Sequence, residues 1–306
     1  MRVLVTGASG WIGTAVVPEL LGAGHQVVGL ARSDASAAAL EAAGAQVHLG
    51  SLDDVDGLRT AAAAADGVIH LAFKHDIAFS GDFDGAVAAD RKAIEAIGDA
   101  LEGSDRPFVI ASGVMGVAPG RLATEEDGRD VDPGSIGGGP LGRQANAQLV
   151  LSLASRGVRS SVLRLPPTTH GDGDNGFVAT QVGIARGKGV SGYLDAGANR
   201  WPAVHRSDAA RLFRLAVEGA PAGSVLHAVD DEGVPVRDIA EVIGRKLQIP
   251  TASIASEHAG AHFGWLAPFL GSDGPASSVL TRKLLGWHPT GPGLLDDLND
   301  GHYFDV

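Results

Sequence analysis

Along the first half of the chain, short apolar β-branched runs alternate with longer stretches in which Ala and Leu recur every three or four residues. The runs predict strands at 2–6, 26–31, 45–49, 67–72, 106–111 and 158–164, and the spaced stretches predict helices at 11–23, 34–43, 54–65, 83–102 and 143–156. Strand followed by helix, repeated, is the pattern of βαβ units laid into a parallel sheet. Residues 67–72, GVIHLA, are almost wholly apolar, as a strand covered on both faces must be. The chain therefore reads as α/β, with a doubly wound parallel sheet.

Two departures from this rhythm set the organisation. Residues 113–142 form a long stretch dense in Gly, Pro and acidic residues, and its place after the fifth strand suggests a lid. Beyond residue 165 the elements shorten, with helices expected at 175–188, 207–219, 236–247, 257–270 and 279–285. Residues 1–165 are thus read as the main domain and 166–306 mainly as a smaller α/β lobe, whose later strands are free to return to the sheet.

Composition narrows the partners. A net charge of −12 argues against nucleic acid and anionic membrane, which need clustered Lys and Arg, and leaves a small molecule as the expected partner. The chain has no cysteine, so disulfides, thiolate nucleophiles and Cys-held metals are excluded. MRVLVTG enters its first apolar run without a basic leader, and no later window of about 18 apolar residues appears, so a cytoplasmic protein is expected.

The first strand runs into TGASGWIG, placing Gly7, Gly10 and Gly13 between a strand and a helix. Early glycines in such a turn permit close approach of backbone to a pyrophosphate, and the helix start adds its positive dipole. This is a Rossmann-type nucleotide site. Trp11 and Ile12 lie inside the turn, and Leu71 and Ala72 at the end of the fourth strand extend the expected cofactor wall. After the second strand, where an acidic residue would hold the ribose of NAD, stand Arg32 and Ser33, which suit a 2′-phosphate and favour NADP. The alternative is a solvated Arg32 with Asp34 capping the next helix. Asp53 either accepts from the adenine amino group or caps helix 54–65.

TGASGWIG, LDD after the third strand, VIHLA, ASG in the fifth strand, VLRLPPTTHGDGD, VHRSDAA and LLGWHP together resemble the extended short-chain dehydrogenase/reductases, in their NAD-dependent epimerase/dehydratase branch. The resemblance implies a Rossmann domain, a C-terminal substrate lobe and an active site built from Ser, Tyr, Lys and Asn. Ser112 matches the family serine, whereas Asp90 stands where Asn is usual. The YxxxK motif is missing: the two tyrosines, Tyr193 and Tyr303, have no Lys four residues on, and GGGPLGRQANAQ offers only Leu141 with Ala145 or Gly139 with Arg143. The chain resembles the atypical members, whose fold and cofactor transfer better than their chemistry. The resemblance also places Pro166 and Pro167 beside the nicotinamide and His170 beside the substrate pocket.

Hydride transfer still needs a group to stabilise or protonate the developing negative charge. Ser112 can orient the substrate, or satisfy backbone at a strand end. Lys74 and His75 follow the fourth strand, where Lys74 can replace the ribose contact and His75 can carry a proton. Arg143 lies near the vacated lysine position, and Asp90 is either a buried carboxylate needing a partner such as Arg143 or part of a charged face. Tyr193 and Trp201 belong to the lobe, as pocket wall or as core, and His205 and Asp208 read as structural. His258 and His262 have metal-ligand spacing but no third ligand, and no G-x-S-x-G elbow is present. The sequence thus favours an NADP-dependent oxidoreductase of carbonyl or imine compounds. A non-catalytic NADP(H) sensor and a sugar-nucleotide epimerase or dehydratase are the rivals. The Ala/Ile/Leu faces of helices 83–102 and 143–156 permit a homodimer, or simply cover the sheet.

Overall fold

The computed structural model describes residues 1–134 and 139–304. Twelve strands are formed: β1 (Arg2–Thr6), β2 (Gln26–Ala31), β3 (Gln46–Leu49), β4 (Gly67–His70), β5 (Pro107–Gly113), β6 (Arg159–Leu165), β7 (Thr168–His170), β8 (Ser191–Leu194), β9 (Arg200–His205), β10 (Ser224–His227), β11 (Asp231–Pro235) and β12 (Thr251–Ile254). The helices are α1 (Gly13–Gly22), α2 (Asp34–Ala42), α3 (Val55–Ala63), α4 (His75–Phe79), α5 (Phe83–Leu101), α6 (Pro140–Ser152), α7 (Phe177–Lys188), α8 (Arg206–Gly219), α9 (Val236–Leu247), α10 (Ala259–Phe263), α11 (Ala267–Leu270), α12 (Val279–Leu285) and α13 (Leu294–Asp300).

Seven parallel strands in the order β3, β2, β1, β4, β5, β6, β10 make the main sheet. The order reverses beside β1, so a crevice opens at the carboxyl edge between β1 and β4, where doubly wound sheets take their ligands. α1 and α8 close one face over Val5, Val17, Leu20, Phe213 and Val217, and α3, α5 and α6 close the other over Leu4, Ile94, Ile97 and Phe108. The seventh strand, β10, reaches the sheet only after the chain has passed through β7, α7, β8, β9 and α8. The lobe has its own core around Trp201, Val236, Ile239 and Leu298, with a three-stranded sheet of β11, β9 and β7 and a two-stranded pair of β12 and β8.

The expected helix 257–270 is broken, because Gly264 takes a φ of 57° and Pro268 follows it, dividing the stretch into α10, α11 and short 3-10 turns. The expected helix 143–156 starts earlier, with Pro140 in its first turn, and ends in a 3-10 turn over Leu153–Arg156. The helical turn α4 was not expected.

The stretch 113–142, expected as a lid, is tied down over much of its length. The Ala123 amide donates to the Pro275 carbonyl and its carbonyl accepts from the Ser277 amide, Gln148 donates to the Gly128 carbonyl at 2.7 Å, and the buried Arg164 donates to that of Asp127 at 2.8 Å. Glu125 accepts from the amide and hydroxyl of Thr281. Residues 135–138, which include the first glycines of GGGPLGRQANAQ, lie outside the described residues. The apolar faces of α5 and α6 cover this chain's own sheet, and α5 turns Asp84, Ala88, Lys92, Glu95 and Asp99 outward. No described helix is long and apolar enough to cross a membrane.

Candidate functional site

The glycine turn is a backbone construction. Gly7 has a φ of 66°, and a Cβ there would stand 2.7 Å from the Ala72 amide nitrogen, so the turn can press against the end of β4 only without a side chain. A Cβ on Gly13 would stand 2.2 Å from the Gly7 carbonyl, which instead accepts from the Gly10 amide at 3.0 Å. The amides of Trp11, Ile12 and Gly13 have no acceptor among the described residues, and the first turn of α1 carries no acidic residue. Donors and dipole together make an anion cradle at the expected place. The backbone of Leu71 and Ala72 lies against Gly7 of this turn, the Ala72 amide donating to Thr6 Oγ1 at 3.3 Å.

The adenosine corner is more heavily committed than the sequence suggested. Ser33 caps α2 in a reciprocal box with Ser36, so the cap is Ser33 and not Asp34. Asp54, and not Asp53, caps α3. Asp53 instead takes the Lys74 ammonium on both oxygens, at 2.6 and 2.7 Å, which ties the two expected cofactor contacts to each other. Arg32 lies 3.5 Å from Asp76, both side chains being largely open to solvent. So long and exposed a pair contributes little, and Arg32 can turn to a ligand at small cost.

Beneath the crevice runs a buried polar chain. Thr6 Oγ1 stands 2.7 Å from His70 Nδ1, His70 Nε2 stands 3.1 Å from Asp90 Oδ1, and Asn146 donates to Asp90 Oδ2 at 2.8 Å and to the Val87 carbonyl at 3.1 Å. One assignment of protons satisfies every member: the Ala72 amide donates to Thr6, the Thr6 hydroxyl to His70 Nδ1, and His70 Nε2–H to an ionised Asp90. Burial alone would raise the Asp90 carboxyl; hydrogen bonds from His70 and Asn146 and the nearby charge of Arg143 outweigh it and hold the pKa below the ordinary carboxylate value. Asp90 is therefore not a charged face. Two members, His70 and Asn146, were missed, although a histidine within the apolar run GVIHLA, in a strand buried on both sides, demands partners and was a legible signal.

Above this chain sit the groups able to meet a substrate. Arg143 donates to the Ala111 carbonyl at 3.0 Å, and its guanidinium lies 4.1 Å from the centroid of the Phe73 ring. Its other N–H groups, and the hydroxyl of the neighbouring Ser112, have no hydrogen-bond partner among the described residues. His75 packs edge-on against Phe73 at 5.0 Å. Desolvation, then the charge of Arg143, hold its pKa below the ordinary histidine value. Phe73, also missed, is the plate between the two.

Other candidates fall away from this cluster. Trp201 is fully buried in the lobe core against Phe177, a core residue and not a pocket wall. Tyr193, on β8, carries the Arg237 guanidinium 5.6 Å over its ring and packs toward α9. His170 is fully buried with Nδ1 2.7 Å from Asp297, while Tyr303 donates to Asp174 at 2.9 Å and accepts from the Gly171 amide. Burial and Asp174 push the Tyr303 phenol far up, so neither tyrosine is placed as a stand-in acid. His205 caps α8, and Asp208 accepts from the Thr290 and Gly291 amides, both structural as expected. Pro166 stays at the head of the segment joining β6 to β7, and the Trp11 indole crosses to β7, donating to the Thr169 carbonyl at 3.2 Å.

The sequence profile of the "NAD dependent epimerase/dehydratase family" matches residues 3–227. The chain belongs to this family. As a family member it is an NAD(P)-dependent oxidoreductase of the extended short-chain dehydrogenase/reductase type that uses a nicotinamide cofactor. It is similar to an uncharacterised protein of Schizosaccharomyces pombe, 47% identical over 99% of this chain and 100% of the relative. It is also similar to a 4-hydroxy-2-methyl-3-oxo-4-farnesyl-3,4-dihydroquinoline-1-oxide ketoreductase of Stigmatella aurantiaca, 27% identical over 86% of this chain and 80% of that one. Among solved structures, the dTDP-glucose 4,6-dehydratase DesIV of Streptomyces venezuelae shares the fold, with a TM-score of 0.75 at 20% identity over 99% of this chain and 96% of that one.

Proposed function

We propose that this family member is an NADP-dependent reductase of a small carbonyl or imine compound that works with a proton donor other than tyrosine. The observation that carries this reading is the convergence of Ser112 and Arg143 on the last residues of β5, each with hydrogen-bond donors that no described residue engages. Bound at the glycine turn, the cofactor supplies the hydride. Ser112 and Arg143 hold the substrate oxygen or nitrogen and stabilise the negative charge that grows on it. Arg143 does not surrender a proton near neutral pH. His75 is the titratable group on the same plate of Phe73, and it passes a proton from solvent to that atom. Asp90, kept ionised by His70 and Asn146, acts as a positioning residue whose charge holds Arg143 in the cleft. The open Arg32 favours a 2′-phosphate, hence NADP over NAD. The similarity to a ketoreductase supports a carbonyl substrate.

Loss of the tyrosine also favours a second reading, a protein that binds NADP(H) without turnover. Following NADPH and NADH absorbance across ketones, aldehydes and cyclic imines separates the two. Turnover with NADPH that collapses in Ser112→Ala is the expected result; tight NADPH binding with no oxidation by any of these compounds sinks the reductase and leaves the sensor. If His75 is the donor, kcat/KM for reduction rises as pH falls through a value below 6.5, and His75→Gln flattens that profile.

A further inference from the structure

We infer that Arg206, at the start of α8, is a phosphate-binding residue that reaches the diphosphate bridge of the cofactor. The inference rests on the family's nicotinamide cofactor and the geometry of the glycine turn, not on the reduction proposed above. The glycine turn offers the unpaired amides of Trp11, Ile12 and Gly13 to an anion, and Trp11 is the residue of that turn whose side chain leaves it sideways toward the lobe. The Arg206 guanidinium lies on that indole, 4.0 Å from the ring centroid. It opens α8, directly after lobe strand β9, and is half-buried. No carboxylate or carbonyl among the described residues engages it.

The cations around the crevice differ in this respect. Lys74 is closed on Asp53, Arg32 has Asp76 beside it, and Arg143 is fastened to the Ala111 carbonyl. A guanidinium desolvated on one face by an indole, with its N–H fork unused, is poised for a bidentate contact with phosphate oxygens. In a chain of net charge −12, a local cation beside the backbone amides strengthens the hold on a dianionic bridge. The consequence is mechanical: the amides stand at the start of α1 and the guanidinium at the start of α8, the two helices packed together on one face of the sheet, so the diphosphate is gripped by a backbone turn and a side chain at once.

Calorimetric titration with NADPH, NADH, ADP and adenosine tests this without any turnover. Arg206→Met keeps an unbranched stem on Trp11 and removes the charge, and Arg206→Lys restores the charge without the fork. Arg206→Met is expected to weaken NADPH, NADH and ADP by about tenfold while leaving adenosine unchanged, with Arg206→Lys recovering part of the loss. An unchanged affinity for ADP in Arg206→Met overturns the inference. So does an equal loss for adenosine, which marks a packing defect, and so does a wild-type protein that binds none of the phosphorylated probes.

Discussion

The two walls of the crevice are made of different material. The wall at β1 and α1 is backbone: its donors are amides, its shape is fixed by Gly7 and Gly13, and its side chains mostly face elsewhere. The wall at β5 and α6 is side chain: Ser112 ends β5, Arg143 of α6 reaches the Ala111 carbonyl beside it, and Asn146 and Asp90 are buried together. A backbone site tolerates few sequences, because each substitution meets a carbonyl or an amide that cannot move. A side-chain site can lose its tyrosine and lysine and still present donors from the same helix.

The sharpest test of the difference is Gly13→Ala, whose Cβ would meet the Gly7 carbonyl at 2.2 Å. Loss of NADPH binding together with a lower Tm is expected, measured by calorimetry and thermal melting; retained binding would mean that the turn is as plastic as the opposite wall.

A second test addresses a buried polar cluster at the β6–β10 edge of the sheet. His227 donates to the Ser277 carbonyl and takes an Arg164 N–H at 3.2 Å, and burial, then the Arg164 charge, push its pKa down to about 4. A folded pKa below the unfolded value of 6.5 means that the unfolded chain takes up a proton the folded one refuses. Stability present above pH 6.5 is therefore lost as pH falls toward 4, by on the order of 3 kcal/mol, in denaturant titrations. A flat profile over that window would show His227 to be solvated.

Arg143→Met comes next. It should lower kcat/KM for reduction about 100-fold with NADPH affinity unchanged, as removal of a charge stabiliser does. A change in NADPH affinity alone would move Arg143 from the substrate to the cofactor. The smallest effect is expected at Arg32: Arg32→Ala should weaken NADPH about tenfold and leave NADH alone, since one exposed charge-assisted contact is at stake.

The same contrast explains what the sequence made legible. The sheet strands and flanking helices of the first half follow from periodicity, and the cofactor turn from three glycines at fixed spacing, because both are properties of local backbone. The side-chain wall was only half visible. Ser112, Arg143 and Asp90 were singled out, but Phe73, His70 and Asn146 join them through contacts from 20 to 70 residues away in sequence. Asp53 and Lys74 were both expected to face the cofactor, and no periodicity says that two such residues will first find each other. Trp201 misled for a similar reason, since an aromatic beside a glycine-rich turn fits a pocket wall as well as the centre of a core.

The seventh strand has a further consequence, for how the protein is made. β10 sits beside β6 in the sheet, yet the chain reaches Ser224 only after the segment that builds half of the lobe. On a ribosome, the first six strands emerge with β6 as a bare, hydrogen-bond-hungry edge for the time it takes to synthesise residues 166–223. A fragment that stops at residue 165 keeps that edge permanently. It should be recovered as aggregate and not as a small independent nucleotide-binding unit, so the lobe is a chaperone to the sheet before it is a neighbour to the cofactor.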